Sequence, residues 1–288
     1  MPPENLYWRN LEVSEIVIKK AGADQFSPYI RALIVGDTGS GKTSYATTFP
    51  NPTFITTGKN LTTLARNESS YIQIANENDL FNVKVALDKG EFTTDTLVID
   101  MVEDLQDILF KQRFAAEKRD PWNVKNEDWN WLGAKMNGIF ESLSELPVHI
   151  LYLSRTKDVG GYDGEQLVVK PSVIGSFANQ IYNYVDYALF LERRGPVEPE
   201  SEFEEKTFLR TCPSVKYPWV NDKTDSLPNF SEFYFSEFLK SREIAIQKSD
   251  EKVLEVDLLE PVTDAPNKDT EVPGMSKQDK IAKMLKQQ

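Results

Sequence analysis

One cysteine and one histidine occur among the 288 residues, and no apolar run approaches the roughly 18 residues that a membrane helix needs. A single cysteine cannot form a disulfide within the chain, which fits a reducing cytoplasm. The same scarcity excludes a zinc site and Ser-His-Asp or Cys-His catalysis. We expect Cys212 to be a small buried residue in a strand. We expect His149, which begins a strand, to have a structural role.

Basic residues are in deficit, with 33 Lys and Arg against 45 Asp and Glu, and the net charge is -12. This balance argues against nucleic-acid binding by the whole surface, although it leaves room for a local basic groove. The acidic excess is concentrated in residues 198–205 and 250–271, which are typical of a solvated loop and a tail. The N-terminus, MPPENLYWRN, lacks the basic-then-apolar order of a signal peptide, so we expect a cytoplasmic protein with no membrane partner.

The most specific feature that is present is GDTGSGKT at residues 36–43, which fits the phosphate-binding P-loop pattern G-x-x-x-x-G-K-[ST]. The preceding run, RALIV at 31–35, has the apolar character of a buried strand. The following residues, 44–49, can form the first turns of a helix, which Pro50 stops. Strand, glycine loop and helix are the context that this motif requires.

The chemistry of the motif predicts a site for ATP and Mg²⁺. Glycines allow successive backbone N–H groups to surround phosphate oxygens, and the helix N-terminus adds a partial positive charge. Lys42 is expected to reach the β- and γ-phosphates, and the Thr43 hydroxyl to coordinate Mg²⁺. The predicted nucleotide-binding residues are Gly36, Asp37, Thr38, Gly39, Ser40, Gly41, Lys42, Thr43 and Ser44.

Strand and helix patterns alternate along the chain, which indicates an α/β fold with a mostly parallel sheet and helices on both faces. The pair 186–191 and 207–211 is expected to form a C-terminal antiparallel hairpin. Residues 158–165, which hold three glycines, indicate a mobile loop or a hairpin tip. The predicted strands cover 31–35, 53–57, 71–74, 96–100, 148–154, 186–191 and 207–211, and the predicted helices 44–49, 78–89, 102–118, 129–145, 172–184 and 231–243.

Three predicted strands end in residues that can converge on one site, because ligands of parallel sheets bind at the carboxyl ends of the strands. These residues are Gly36, Asp100 and Ser154. Asp100 fits a Walker B acid that holds Mg²⁺. Ser154 could sense the γ-phosphate, position water or be an ordinary strand-end serine. Glu103 and Asp104 are alternative catalytic bases, and each could equally be a solvated acid in the first turn of a helix.

The chain is expected to have three parts. Residues 1–27 form an N-terminal extension, and residues 28–247 form the α/β core. Residues 248–288 form an acidic and disordered tail. Within the tail, residues 276–286 could form a short amphipathic helix that docks on another protein, or a frayed end without a partner.

The order of motifs resembles that of the small RecA/RadA-core ATPases encoded by bacteriophages, a group associated with single-strand annealing and recombination. The resemblance covers about residues 28–243 and implies a RecA-like P-loop NTPase core. Beyond the P-loop it rests on FP at 49–50, LVID at 97–100, Trp129, LP at 146–147, the strand to Ser154, PSVIG at 171–175 and Asp186.

This resemblance implies a homo-oligomer, a ring or a filament, that binds ATP between protomers and single-stranded DNA on loops at 118–128 and 156–170. It further implies a location in the bacterial host cytoplasm and a partner, for example a single-strand DNA-binding protein that binds the C-terminal tail. Lys216 and Lys223 lie where the family places cations that reach a neighbour's phosphates. The DNA-binding residues would be Lys118, Arg119, Trp122, Lys125, Arg155, Lys157, Tyr162 and Lys170; as an alternative, these loops are solvated surface.

One departure from the family affects catalysis. RecA-like enzymes carry a glutamate just after the second strand, whereas residues 56–60 here read TTGKN. Three functions therefore follow from the sequence: a DNA recombination ATPase that promotes annealing or strand exchange, a nucleotide-switched DNA-binding protein with little hydrolysis, and a RecA-fold helicase or helicase loader.

Overall fold

The computed structural model describes residues 27–59, 61–160, 166–194, 206–231, 234–236, 238–240 and 242–243. The chain divides into a unit from Met1 to Asp250 and a unit from Glu251 to Gln288. The predictions for residues 1–26, for the acidic loop at 198–205 and for the tail at 248–288 with its terminal helix lie outside the described residues.

Among the described residues, nine strands form the central sheet, with the order β11-β9-β8-β1-β5-β4-β2-β3 and with β10 paired to β8. Two further strands, β6 and β7, form a separate hairpin. The strands are β1 (Arg31–Val35), β2 (Pro52–Thr56), β3 (Ser70–Gln73), β4 (Thr96–Asp100), β5 (His149–Ser154), β6 (Thr156–Val159), β7 (Val168–Pro171), β8 (Tyr187–Arg194), β9 (Lys206–Arg210), β10 (Asn221–Asp222) and β11 (Phe230–Ser231).

The central strands are parallel, as the alternating sequence pattern predicts. β1 pairs in parallel with β5 and β8, and β4 pairs in parallel with β5 and β2. β8 and β9 pair antiparallel, which confirms the predicted C-terminal hairpin. Every residue of β1 is buried, because a central strand of a parallel sheet is covered on both faces.

Six α-helices and a 3₁₀ segment are bounded within the described residues. The three long helices, α3 to α5, agree with the sequence predictions within three residues at each end. The helices are α1 (Lys42–Ala46), α2 (Thr62–Arg66), α3 (Glu77–Asp88), α4 (Val102–Ala116), α5 (Asn126–Ser144) and α6 (Phe177–Gln180), followed by the 3₁₀ segment Ile181–Tyr184.

Two hydrophobic clusters cover the two faces of the sheet, which confirms that helices lie on both sides. Leu33 and Val35 of β1 belong to the cluster formed with α3, α4 and α5. Ala32 and Ile34 belong to the other cluster, together with residues of α1 and Phe238. This division follows from the alternation of side chains along a strand.

A buried arginine connects the end of α5 to the sheet. The Arg31 side chain donates to the carbonyl oxygens of Val148 at 2.5 Å, Leu146 at 2.6 Å and Ser144 at 3.1 Å. His149 lies beside this junction, where its Nδ1 accepts a hydrogen bond of 3.0 Å from the Ile30 backbone. The structural role expected for His149 agrees with that bond.

Three local predictions differ from the structure. Residues 172–184 do not form one helix, because Gly175 adopts a φ of 71°, and helical structure begins only at Phe177. Cys212 lies after β9 rather than in a strand, and it is half-buried rather than buried. At the C-terminus, the helix predicted from 231 begins later, because Ser231 belongs to β11 and the described helical residues lie between 235 and 243.

Candidate nucleotide site

The carboxyl ends of three neighbouring strands form the base of the site. β5 lies between β1 and β4, and the pairs Val35–Ser154 and Asp100–Leu153 are in register. Gly36, the first residue after β1, donates its backbone N–H to Ser154 O at 3.2 Å. The predicted convergence of Gly36, Asp100 and Ser154 at one edge of the sheet is therefore observed.

The P-loop has a backbone that other residue types would disturb. Gly41, directly before α1, has a φ of 94°, in the left-handed region that favours glycine. A side chain at Gly36 would place its Cβ only 2.5 Å from Ser40 Oγ and 3.1 Å from Leu191 O. These restrictions explain why the motif requires glycine at both positions.

Lys42 points back into the loop that precedes it. Its ammonium group donates to Gly36 O at 2.7 Å and to Asp37 O at 2.8 Å, and the residue is 4% exposed. Burial lowers the pKa of Lys42 to about 8, against a smaller opposing effect from Glu103 and Asp100. A buried ammonium held by neutral carbonyl groups is suited to an anionic ligand such as a phosphate.

Thr43 and Asp100 form the second part of the site. Thr43 Oγ1 donates to Asp100 Oδ2 at 3.1 Å. Burial raises the pKa of Asp100, while the hydrogen bond from Thr43 and the charge of Lys42 oppose this shift. Within the described residues no group of three or more His, Cys, Asp or Glu could hold a metal. One carboxylate and one hydroxyl nevertheless fit Mg²⁺, which takes its other ligands from water and phosphates.

A cleft of about 340 Å³ opens above these residues. Four of its lining side chains are cationic and two are carboxylates, which suits a polyanion accompanied by a metal ion. The lining consists of Thr38, Gly39, Gly41, Lys42, Thr43, Ser44, Lys59, Thr63, Arg66, Asp100, Met101, Asp104 and Arg155. Of the predicted nucleotide-binding residues, Gly36, Asp37 and Ser40 are outside this lining.

The two alternative bases occupy different environments in the first turn of α4. Asp104 lines the cleft and is 6% exposed. Glu103 is outside the lining, and its Oε1 accepts the backbone N–H of Arg155 at 2.5 Å. Burial raises the pKa of Glu103, and hydrogen bonds from backbone N–H groups oppose the shift. The structure thus separates two acids that the sequence left equivalent.

Ser154 is not part of the cleft lining, which agrees with the alternative of an ordinary strand-end serine. The residue is fully buried, and its hydroxyl donates to Arg155 O at 3.0 Å. Arg155, predicted to bind DNA, instead directs a guanidinium nitrogen to Asp104 Oδ2 at 3.5 Å and lines the cleft. Ser154 is the last residue of β5, whereas Arg155 lies between β5 and β6 and is part of neither strand.

The loop between α4 and α5, residues 117–125, presents an exposed aromatic side chain between two exposed lysines. Trp122 is 93% exposed, and Lys118 and Lys125 are also exposed. Arg119 is different, because it pairs with the fully buried Asp128 at 2.6 Å. The arginine is therefore engaged in holding this loop to α5.

The β6–β7 hairpin carries the other predicted DNA-binding residues. Lys170 is exposed, whereas Lys157, its partner across the hairpin, donates to Val173 O. Tyr162 lies outside the described residues. The hairpin begins at the P-loop, where Thr156 Oγ1 contacts Asp37 Oδ1.

The two lysines considered as contacts to a neighbour lie at different places. Lys216 is next to β7, since its carbonyl accepts the Val169 N–H at 2.9 Å. Lys223 follows β10 and donates its side chain to Tyr182 O at 2.7 Å. β10 pairs with the first residues of β8, so Lys223 lies at the amino-terminal end of the parallel strands. The P-loop lies at their carboxyl end.

Four residues of the cleft lining were missed from the sequence, and two of them are cationic, Lys59 and Arg66; the other two are Thr63 and Met101. Lys59 follows β2, and Arg66 ends the five-residue α2, which has no apolar periodicity long enough to be recognised. A cue was available for Lys59, because it lies three residues after a parallel strand whose last residue, Thr56, pairs with Asp100.

Comparison with known proteins gives one family match. A family model described as an AAA domain matches residues 29–218. No curated protein sequence matches the chain significantly. Among solved structures, a KaiC-like protein from the hyperthermophilic archaeon Pyrococcus horikoshii is similar, at 13% identity and a TM-score of 0.38 over 66% of this chain and 80% of that chain. In the described residues no helix has the length and apolarity to cross a membrane.

Proposed function

The chain belongs to the family described as an AAA domain, and we propose that it is an Mg²⁺- and ATP-dependent DNA recombination ATPase. In this proposal it binds single-stranded DNA and promotes annealing or strand exchange. The observation that carries the proposal is the P-loop cleft, where the buried Lys42 ammonium lies near the Thr43–Asp100 pair.

The residues of the cleft have separate tasks in binding. The backbone N–H groups of residues 36–43 and the Lys42 ammonium would bind the phosphates. Thr43 and Asp100 would hold Mg²⁺, which supplies positive charge to the β- and γ-phosphate oxygens. Lys59 and Arg66 add positive charge on the α2 side of the cleft.

Single-stranded DNA is proposed as the polymer that the loop at 117–125 binds. Trp122 offers a surface on which a base can stack, and Lys118 and Lys125 can contact the backbone phosphates. An indole that is 93% exposed buries almost no apolar surface within the chain, so packing does not account for its position. Lys170 on the β6–β7 hairpin is a further candidate contact.

The assembly and the surroundings are also part of the proposal. ATP would bind between protomers of a ring or filament in the cytoplasm, with Lys216 and Lys223 as candidate contacts to a neighbouring protomer. A single-strand DNA-binding protein is the proposed partner of the C-terminal tail. Sedimentation of the full chain with ATP and then with ADP tests the assembly, since a single monomeric species in both would contradict it.

Steady-state phosphate release from Mg²⁺-ATP, with and without single-stranded DNA, tests the enzymatic part. We expect DNA to stimulate release, and strand annealing to depend on ATP. Nucleotide binding should be measured in the same preparation. Bound ATP with no release in either condition would contradict the ATPase proposal, and stimulated release without any effect on annealing would contradict the recombination part.

A second candidate is a DNA-binding switch that binds ATP and hydrolyses little of it. Two observations favour it, the absence of an acid after β2 and the contact of Asp37 in the P-loop with Thr156 at the start of the hairpin. A nucleotide could thereby alter the hairpin without turnover. DNA affinity that rises with ATP, together with absent phosphate release, would select this candidate over the first.

A further inference from the structure

The segment after β2 places a cation at the nucleotide cleft. Thr56, the last residue of β2, pairs with Asp100, so the following residues emerge beside the predicted Mg²⁺ ligand. Residues 57–59 are Thr, Gly and Lys, and the Lys59 side chain lines the cleft. A carboxylate that positions water must therefore come from another element.

Asp104 is the carboxylate that α4 supplies at this place. Its Oδ1 lies 3.4 Å from Lys59 Nζ, and its Oδ2 lies 3.5 Å from a guanidinium nitrogen of Arg155. Both distances exceed the roughly 2.7–2.9 Å of a short charge-assisted hydrogen bond. Since an ionised carboxylate has about four acceptor positions, Asp104 keeps capacity to accept a hydrogen bond from water.

Two other acids lie near the cleft, Asp100 in its lining and Glu103 outside the lining. Asp100 accepts the hydrogen bond of Thr43 and is the proposed Mg²⁺ ligand. Glu103 receives the backbone N–H of Arg155 on Oε1, while its Oε2 is buried and has no hydrogen-bond partner among the described residues. Of the carboxylates that line the cleft, Asp104 remains without an assigned task.

We propose that Asp104 orients the water that attacks the γ-phosphate, with Lys59 and Arg155 as positioning residues that hold its two oxygens. The inference rests on the proposed ATP hydrolysis. In the step, the water oxygen forms a bond to the γ-phosphorus, and the bond from that phosphorus to the β–γ bridging oxygen breaks. ADP leaves with the electron pair, and the proton of the water passes to the released phosphate. Asp104 accepts a hydrogen bond from the water throughout.

Four variants of the full chain test this assignment. Asp104→Asn removes the charge and keeps the shape, and Asp104→Glu restores a carboxylate. Glu103→Gln tests the neighbouring acid. Asp107→Asn is the matched control, because Asp107 is an exposed residue on the same helix. The measurements are phosphate release, affinity for a fluorescent ATP analogue, affinity for ADP with aluminium fluoride, and the melting temperature.

We expect Asp104→Asn to lower the rate of phosphate release by about 100-fold. This is the lower end of the rate losses expected when a group that accepts a proton or positions water is removed. ATP affinity and the melting temperature should change little, whereas affinity for ADP with aluminium fluoride should fall, because that complex mimics the transition state. Asp104→Glu should recover part of the release, and Asp107→Asn should behave as the unmodified protein.

The results that contradict the inference differ from those that contradict the function. If the unmodified protein releases phosphate and Asp104→Asn releases it equally fast, the ATPase proposal stands and Asp104 has no such role. A loss confined to Glu103→Gln would transfer the role to that residue. Absence of release from the unmodified protein, with ATP bound, would contradict both. An Asp104→Asn protein that melts early and loses ATP affinity would show a structural role and overturn the assignment.

Discussion

Thr43 Oγ1 donates a hydrogen bond to Asp100 Oδ2 at 3.1 Å, across a separation of 57 residues in the sequence. The bond joins the first turn of α1 to the carboxyl end of β4. It is possible because β1 and β4 are both neighbours of β5 and end at the same edge of the sheet. The two side chains that are expected to hold Mg²⁺ are therefore in contact within the protein itself.

Replacing Asp100 with Asn should abolish the effect of Mg²⁺ on nucleotide binding. The amide keeps the size of the side chain and removes the charge that attracts the cation. The affinity for a fluorescent ATP analogue is measured in Mg²⁺ and in EDTA. For the unmodified protein the two affinities should differ strongly, and for Asp100→Asn they should differ by less than about twofold. An undiminished Mg²⁺ effect would show that the metal is held by other groups.

The Lys42→Ala variant should lose nucleotide binding altogether. Alanine removes the buried ammonium that now donates to Gly36 O and Asp37 O and that is expected to contact the phosphates. Equilibrium binding of ATP and circular dichroism provide the measurement and its folding control. Retained ATP affinity in a folded variant would contradict the assignment of the phosphate site.

Binding of ATP should take up a proton at alkaline pH. The pKa of Lys42 is lowered to about 8 by burial, so its side chain is mostly neutral at pH 9 before nucleotide binds. Phosphate charge favours the ammonium form and raises this pKa, so the proton uptake should be larger at pH 9 than at pH 7. Calorimetry in two buffers of different ionisation enthalpy measures the uptake. Equal heats in both buffers at pH 9 would exclude it.

Replacing Trp122 with Ala should weaken binding of single-stranded DNA by about tenfold, because stacking of one base on an aromatic ring contributes about 1–3 kcal/mol. The side chain is 93% exposed, so the melting temperature should not change. Fluorescence anisotropy of a labelled oligothymidine is a direct measurement. Phe81→Ala on α3 provides the control, since Phe81 is also exposed and distant in sequence from the loop. Equal losses in both variants would indicate nonspecific binding.

The Asp128→Asn variant should lower the melting temperature at neutral pH. Hydrogen bonds from Arg119, followed by the Lys125 backbone and Arg113, lower the pKa of Asp128 below the ordinary value of 3.8. The stability that follows from this shift is complete above pH 3.8 and is lost as the pH falls through the lowered pKa. The two proteins should therefore melt further apart at pH 7 than at pH 3. A constant difference would contradict this origin, and Asp107→Asn is again the control.

Much of the core could be predicted from the sequence, because its signals are local. The P-loop pattern and the apolar runs of β1 and β4 each specify an element without reference to the rest of the chain. In contrast, the position of Asp104 in the cleft lining and of Glu103 outside it depends on how α4 is rotated about its own axis relative to the sheet. Local spacing does not contain that information, so both acids remained candidates.

Other features of the site depend on contacts between distant segments. Arg119 belongs to a basic loop by sequence, yet it pairs with Asp128, whose fully buried carboxylate is also bound by Arg113. The five-residue α2 was missed because it is shorter than the window in which helical periodicity can be detected. Its position matters nevertheless, since it brings Arg66 to the cleft.

The junction around Arg31 restricts which sequences can build this fold. One planar guanidinium donates to three carbonyl oxygens, those of Ser144, Leu146 and Val148, at the turn from α5 to β5. A lysine would carry the same charge, but its single nitrogen cannot span three acceptors arranged for a fork. The Arg31→Lys substitution keeps the charge but should destabilise the turn from α5 to β5. A homologue with lysine at this position would need a turn of different structure.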